Sequence, residues 1–392
     1  MSEDFLLLNP GPVPVTDEVL QSMAEPMVSH RSAEFEAVYE RAQDGLDYVF
    51  EHSSLSGEST TAEGGTSLIL NGTATMGMEA AVANLVDEDS EVVSLVNGKF
   101  GRRFARIADR YASCTRVEAD WGESFSISDV EDAVTDDTDV VTLVHNETST
   151  GLLNPGTEIG EIAREHDATF VVDGVTCIGG DEFLMDEWNV DIAITDAQKA
   201  LAAPPGISAL WVREGVEERF DGESAPFYED LDWHLRKEKS HQTPFTSAVP
   251  LFRALAVAVE DIVAETMPTR IRRHQRQAAA FREGFQAMGL ELFADADGPT
   301  DLSNTVTAVS LPDPVYGDDS ADFFDAVAER NVSISGGQAH LGGQIFRVSN
   351  MGHLAPEQVL RGVRTVGEAM NDAGVDVDTE AGVEAAKAEL SE

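Results

Sequence analysis

Between Ser67 and Trp211 short apolar runs alternate with amphipathic or turn segments, and this rhythm constrains the fold more than anything else in the chain. The runs are SLIL, EVVSLV, CTRV, DVVTLVH, ATFVVD, DIAIT and SALWV; between them lie chiefly MGMEAAVANLV, RRFARIADRY, ISDVEDAV and TEIGEIAREH. Strands separated by helices pair in parallel, because a parallel neighbour is reached only through a crossover. The sequence therefore predicts an α/β fold with a mostly parallel sheet of the seven-stranded type, helices on both faces, and ligands beyond the strand ends. Two helices are predicted ahead of it, Asp17 to Ala24 and Ser32 to Phe50. The apolar-periodic region Val249 to Met288 reads as helix leading to a second unit, and Thr305 to Met370 predicts a smaller α/β domain. The expected division is an N-terminal strap over 1–20, a large domain over 21–255, a connecting helix over 256–290 and a small C-terminal domain over 291–392. The Ser/Thr/Gly-rich stretch Ser53 to Gly65 has no periodicity and predicts an exposed, flexible loop.

Charge narrows the function. Lys and Arg total 26 against 72 Asp and Glu, a net charge of −46, so nucleic acid and anionic membrane are repelled as partners. Hydrophobic residues still make up 42% of the chain, enough for a packed core. An acid-rich, lysine-poor surface suits a cytosol of very high salt, where ions screen the self-repulsion, and the source is read as a halophile. The two cysteines, Cys114 and Cys177, fit a reducing compartment, and without a CxxC pair no metal site is predicted. The N-terminal residues lack a basic region followed by an apolar one, and no apolar run is of membrane-spanning length; the expected location is the cytoplasm.

Four features carry possible chemistry. Lys199 is one of only five lysines, and it stands in DIAITDAQKALAAPPG (Asp191 to Gly206), where a strand runs into a Gly/Pro-bounded turn. Burial there lowers an amine's pKa and leaves it nucleophilic, as Schiff-base chemistry requires. The plain alternative is a lysine snorkelling from a strand end. Asn71 to Thr75 joins the first sheet strand to a helix, which makes either a phosphate cradle or an ordinary Thr-capped turn. Asp173 ends the strand FVVD and either pairs with a protonated ring nitrogen or caps the next turn. Arg347, on the strand QIFRVSN, either grips a substrate carboxylate or pairs with a surface acid. Cradle, strand-end Asp and strand-end Lys occur in that order along one sheet, and this favours a pyridine cofactor used as an electron sink.

From LLLNPGPVPV to RVSNMGHL the chain resembles the class V aminotransferases of the pyridoxal-phosphate fold-type I group, in their alanine-glyoxylate, serine-glyoxylate and serine-pyruvate branch. HNETSTG (His145 to Gly151), VVDGVTCIGG (Val171 to Gly180) and DAQKALAAPPG (Asp196 to Gly206) carry the resemblance. It implies that Lys199 carries pyridoxal 5'-phosphate as a Schiff base and acts as the catalytic base, and that Asp173 keeps the ring nitrogen protonated. By the same matching, Phe100 stacks on the ring where the family often has Trp. Thr73, Ala74, Thr75 and Gln198 match phosphate ligands, and Thr148 lies near the phenolic oxygen. Gln242 and Thr243 match a segment reaching the phosphate of a neighbouring subunit, which implies a homodimer with shared active sites. Arg347 matches the α-carboxylate ligand, and Gly11 and the Ser29-His30-Arg31 stretch match segments at the site entrance. The implied reaction transfers an amino group from alanine or serine to a 2-oxo acid such as glyoxylate or pyruvate. Acidic or phosphorylated donors (aspartate, phosphoserine, aminoethylphosphonate) remain an alternative, with His30, Arg31 and Arg236 as available basic residues. A non-catalytic, cofactor-binding regulatory protein on the same fold is the alternative of another class; cysteine desulfuration is disfavoured by where the two cysteines fall.

Overall fold

The computed structural model describes residues 5–61, 64–220, 225–296 and 300–391. Its centre is a seven-stranded sheet: β1 (Gly65–Asn71), β2 (Glu91–Val96), β3 (Ser113–Glu118), β4 (Val140–Val144), β5 (Thr169–Asp173), β6 (Ile192–Asp196) and β7 (Ile207–Arg213), in the spatial order β1-β7-β6-β5-β4-β2-β3. Each of the seven apolar runs falls on one strand. Strands β2 to β6 pair in parallel, in the order β3-β2-β4-β5-β6, whereas β7 is antiparallel to both β6 and β1. The reversal is possible because the Pro204-Pro205-Gly206 turn returns the chain after Lys199 with no crossover helix, and Gly206 takes φ +119°, a backbone conformation open to glycine. Strands β4, β5 and β6 are buried along their whole length, as continuous Val/Ile runs covered on both faces require.

One apolar core holds the helix Ala33–Glu51 through Phe35, Tyr39, Leu46 and Phe50, and the helix Val249–Glu265 through Phe252, Val259 and Ile262. On the opposite side of the sheet, Ala74–Leu85 packs Met78, Ala81 and Val82 against Leu68, Ile194 and Leu210. A separate core lies in the C-terminal region, where Val306–Ser310, Ser335–Gly336 and Ile345–Ser349 form an antiparallel sheet covered by Ser320–Glu329 and Pro356–Asp372. The acidic C-terminal segment forms the helix Thr379–Leu390, capped by Asp378, whose carboxylate accepts from Ala381 N.

The connecting helix expected over 256–290 is two helices. Val249–Glu265 ends at Thr266 (φ +69°), and Met267–Ala287 starts anew with Pro268 in its first turn, where a proline has no helical hydrogen bond to lose. The second helix belongs to both cores: Met267 and Ile271 pack in the large one, and Phe281 and Phe285 in the small one. The N-terminal segment bridges likewise. Leu6–Leu7 pairs in parallel with Val332–Ser333, Leu8 is buried in the small core, and Val19 reaches the large one. Ser53 to Gly65 departs from the exposed loop that its composition predicts. Ser53, Ser54 and Thr61 are buried, and the backbone is pinned by bonds from Phe183 N to Ser53 O, from Asp186 N to Thr60 O and from Leu55 N to Glu182 Oε1. Hydroxyls satisfied at home, such as Ser53 Oγ on Val49 O, make a polar segment buriable. Ala62 and Glu63, within the same stretch, lie outside the described residues.

Candidate active site

Parallel strands bring their carboxyl ends to one edge, so β4, β5 and β6 deliver Val144, Asp173 and Asp196 to a common cavity of about 130 Å³. Thr73, Ala74, Thr75, Phe100, Thr148, Asp173, Gln198 and Lys199 all line it, eight residues named from sequence. Asn146, Thr176, Arg103 and Asp196 complete the polar wall.

Lys199 is buried, and its Nζ donates to Pro10 O at 2.6 Å. Burial, with the Arg347 cation nearby, pulls its pKa down to about 8, so roughly a tenth of the amine is neutral at pH 7. Asp173 is shifted the other way, to about 7, chiefly by burial; Val175 N donates to its Oδ1, whereas its Oδ2 makes no bond among the described residues. A carboxyl raised by burial is relieved by a cationic N–H donor, which is what a protonated pyridine nitrogen offers. Asn146 Oδ1 and Gln198 Oε1 are buried acceptors with no partner among the described residues, although both residues line the cavity. Backbone N–H groups of the Ala74–Leu85 N-terminus lie in the same wall, where the helix dipole favours an anion. Ring partner, nucleophilic amine, aromatic face and anion cradle together fit pyridoxal 5'-phosphate.

Glu147 sets much of this geometry. It is fully buried, with Oε2 accepting from Phe100 N and Gly101 N at 3.0 Å each and Oε1 accepting from Ser149 N and Ser149 Oγ. It thus caps the helix Lys99–Ala108 from the hairpin of Asn146–Glu147 with Leu152–Leu153, and fixes Phe100 relative to Thr148. Thr148 Oγ1 lies 2.5 Å from Thr176 Oγ1. Gly11 is tied to the site by shape: its φ is +93°, and a Cβ there would stand 2.7 Å from Gln198 Oε1 and 2.8 Å from Lys199 Cδ.

Arg347 lies behind Thr148, outside the cavity wall. It is buried, its Nη1 donates to Thr148 O at 2.9 Å, and its Nε and Nη2 both donate to Gly336 O. Of the five guanidinium N–H groups, one on each terminal nitrogen is not used by these bonds, and a carboxylate can accept from such groups. No ion pair to Arg347 occurs among the described residues, and burial lowers its pKa to about 10. Gln242 and Thr243 are absent from this chain's own cavity wall. Gln242 lies between Arg31 Nη1 and Glu36 Oε1, and Thr243 Oγ1 faces Phe245 O and Ser247 Oγ.

Of the basic residues named for an acidic donor, Arg31 and Arg236 are engaged elsewhere, and His30 does not line the cavity. Arg31 donates to Gln242 Oε1 and to the carbonyls of Thr243, Pro244 and Phe245, and Arg236 pairs with Asp232. Cys177 is buried in the large core with its thiol pKa raised by burial, and Cys114 is half-buried on β3; neither lines the cavity. Among the described residues no group of three or more His, Cys, Asp or Glu is arranged to hold a metal ion, and no helix is long and apolar enough to cross a membrane. Sequence reasoning missed Arg103 and Asp196. Arg103 follows Phe100 at i+3 on one helix, a spacing that puts both on one face; its guanidinium carbon is 4.9 Å from the Phe100 ring centre, and Nη1 donates to Thr75 Oγ1 at 2.7 Å. Asp196 was indistinguishable from the other polar residues of its turn.

Fold and site define a pyridoxal-phosphate-dependent transferase of fold type I. Residues 5–359 match the class-V aminotransferase family, and the chain belongs to it. It is 37% identical to an uncharacterised aminotransferase of Methanocaldococcus jannaschii, over 97% of this chain and 96% of that one. It is 29% identical to the L-aspartate–glyoxylate aminotransferase of Paracoccus denitrificans, over 96% of this chain and 94% of the relative. The solved structure of ureidoglycine-glyoxylate aminotransferase from Bacillus subtilis superposes with a TM-score of 0.88 at 28% identity, covering 100% of this chain and 99% of that one. The protein is a pyridoxal-phosphate-dependent aminotransferase.

Proposed function

We propose that this aminotransferase moves the amino group of L-alanine or L-serine to a small 2-oxo acid, glyoxylate or pyruvate. The observation that carries the reading is Arg347, a buried cation with two unspent N–H groups beside the Thr148 and Lys199 wall, which suits a substrate α-carboxylate. When bound, the cofactor supplies an electron sink for charge developing at the substrate α-carbon. Lys199 holds the cofactor and then moves the α-proton, a task suited to an amine titrating near 8. Asp173 keeps the ring nitrogen protonated, and Phe100 stacks on the ring. Thr73, Ala74, Thr75 and Gln198 hold the phosphate. The strap crowds Lys199 at Pro10 and Gly11, which supports short donor side chains. Gln242 and Thr243 serve the partner's phosphate in a homodimer, in keeping with their absence from this chain's own cavity wall. The net charge of −46 supports a salt-rich cytoplasm as the setting.

An acidic donor is the second reading, favoured by Lys99. Its ammonium lies 5.9 Å from the Phe100 ring centre, near enough to Arg103 and Arg347 for their charges to lower its pKa alongside burial, and it has no carboxylate partner among the described residues. The deciding experiment follows the visible band of the holoenzyme in high salt as L-alanine, L-serine, L-aspartate and phosphoserine are added separately without acceptor. Bleaching by alanine or serine, restored by glyoxylate or pyruvate, is the expected result. Bleaching by aspartate or phosphoserine alone overturns the donor assignment in favour of the second reading.

A further inference from the structure

The turn read as a phosphate cradle already contains an anion. Asp196, the last residue of β6, is buried, and its Oδ2 accepts from Ala74 N at 2.8 Å while its Oδ1 accepts from Gln198 N at 3.3 Å. Ala74 N is the first N–H of the helix Ala74–Leu85, and Thr73, Thr75, Gln198 and Asp196 share one cavity wall. We propose that Asp196 shares the phosphate subsite with the cofactor: a phosphomonoester held on this helix N-terminus meets the carboxylate at the Ala74 N–H, and the two anions hold one proton between them. This inference rests on the reading of the cavity as the cofactor site. The proton comes from solvent on binding, and the Asp196 hydroxyl then donates to a phosphate oxygen, turning a repulsive contact into a hydrogen bond.

The groups around Asp196 make this workable. β5 brings Asp173, the turn after β6 brings the Lys199 amine, and the helix Lys99–Ala108 brings Arg103, tied to Thr75 Oγ1. On β7 the residue opposite Asp196 is Ser208, whose buried Oγ has no partner among the described residues and adds no charge. Burial opposes the ionised form of Asp196 and raises its pKa, while the N–H groups of Ala74 and Gln198 and then the Lys199 charge favour it. The consequence is a cofactor site whose hold on the phosphate is weaker than its N–H donors and its arginine would give, and whose hold depends on a proton at Asp196.

The test titrates the full-length, cofactor-stripped protein with pyridoxal 5'-phosphate and, separately, with pyridoxal, which lacks the phosphate. Binding is read from the visible absorbance of the bound aldehyde and from tryptophan fluorescence, not from turnover. In Asp196→Asn the affinity for pyridoxal 5'-phosphate should rise by on the order of tenfold or more, while pyridoxal affinity stays within about twofold. The wild type should also lose affinity for the phosphorylated form more steeply as pH rises, by one proton relative to the variant. Lys199 and the phosphate titrate in both proteins, so the difference isolates Asp196. Asp196→Ser, which removes the charge but keeps an oxygen near Ala74 N, should behave as Asp196→Asn does. Equal or weaker binding of pyridoxal 5'-phosphate by a folded variant, with the same pH slope, overturns the proposal. A wild-type protein that takes up neither aldehyde overturns the cofactor reading itself, and the proposal with it.

Discussion

Replacing Arg347 with Ala tests the substrate reading most directly, and the structure fixes what should be lost. The two unspent N–H groups of the fork each give a charge-assisted hydrogen bond to a carboxylate, about 1.5–3 kcal/mol apiece. Losing both is worth about 3–6 kcal/mol, or roughly 10²–10⁴-fold in kcat/KM. The same fork serves amino acid and 2-oxo acid, so both half-reactions should fall by similar factors. Single-turnover kinetics measured separately with L-alanine and with pyruvate or glyoxylate read each one. The substitution also orphans the carbonyls of Thr148 and Gly336, to which Arg347 donates, and the buried Thr148 O alone should cost about 1–3 kcal/mol of stability. A thermal or urea denaturation of the variant therefore accompanies the kinetics. Arg347→Lys keeps the charge but not the planar fork, and should recover only part of the loss. Rate constants within about threefold of wild type for both substrates, in a folded Arg347→Ala protein, would refute the reasoning.

Lys199→Ala should abolish transamination while leaving the fold intact, since among the described residues the amine's only hydrogen bond is to Pro10 O; residual turnover near the wild-type rate rules out its role. In the cofactor-free protein, raising pH from about 8 toward the unfolded lysine's 10.5 should increase stability, because over that window the unfolded chain holds a proton that the buried amine has shed. Urea midpoints at several pH values should show this rise in the wild type and its absence in Lys199→Met. Gly11→Ala forces a β-carbon onto Gln198 and Lys199 at positive φ, and should weaken pyridoxal-phosphate binding at least tenfold with a smaller change in melting temperature. Normal cofactor affinity in that variant would show that the strap yields at no cost.

Much of the large domain was legible because burial on both faces leaves a plain mark: continuous Val/Ile runs spaced by amphipathic helices. Asp173 and Lys199 stood out for the same reason, as charged residues where such runs end. The break at Thr266 was not legible, because apolar periodicity carries through 249–288 and only Pro268 hints that a new helix begins. Composition misread Ser53 to Gly65, since it does not reveal hydroxyls that bond back to the preceding helix and so tolerate burial. Asp196 escaped notice because its significance lies in a contact with Ala74, 122 residues away in sequence. Gln242 and Thr243 entered through family resemblance alone; no pattern in their own segment marks them.

The pairing of Leu6 and Leu7 with Val332 and Ser333 also sets an order of events. A ribosome releases the N-terminal segment long before the residues it must dock on exist: Asn9 finds Ser335 across 326 positions, and Leu8 O waits for Ser349 N. The seven strands of the large sheet are complete by Arg213 and their core by Ile271, but the N-terminal segment whose Pro10 carbonyl meets Lys199 finds its strand partner only once Val332 and Ser333 have emerged. The surroundings of Lys199 should therefore be completed late in biogenesis, and a nascent chain stalled before Val332 should hold a formed sheet around an unfinished cavity.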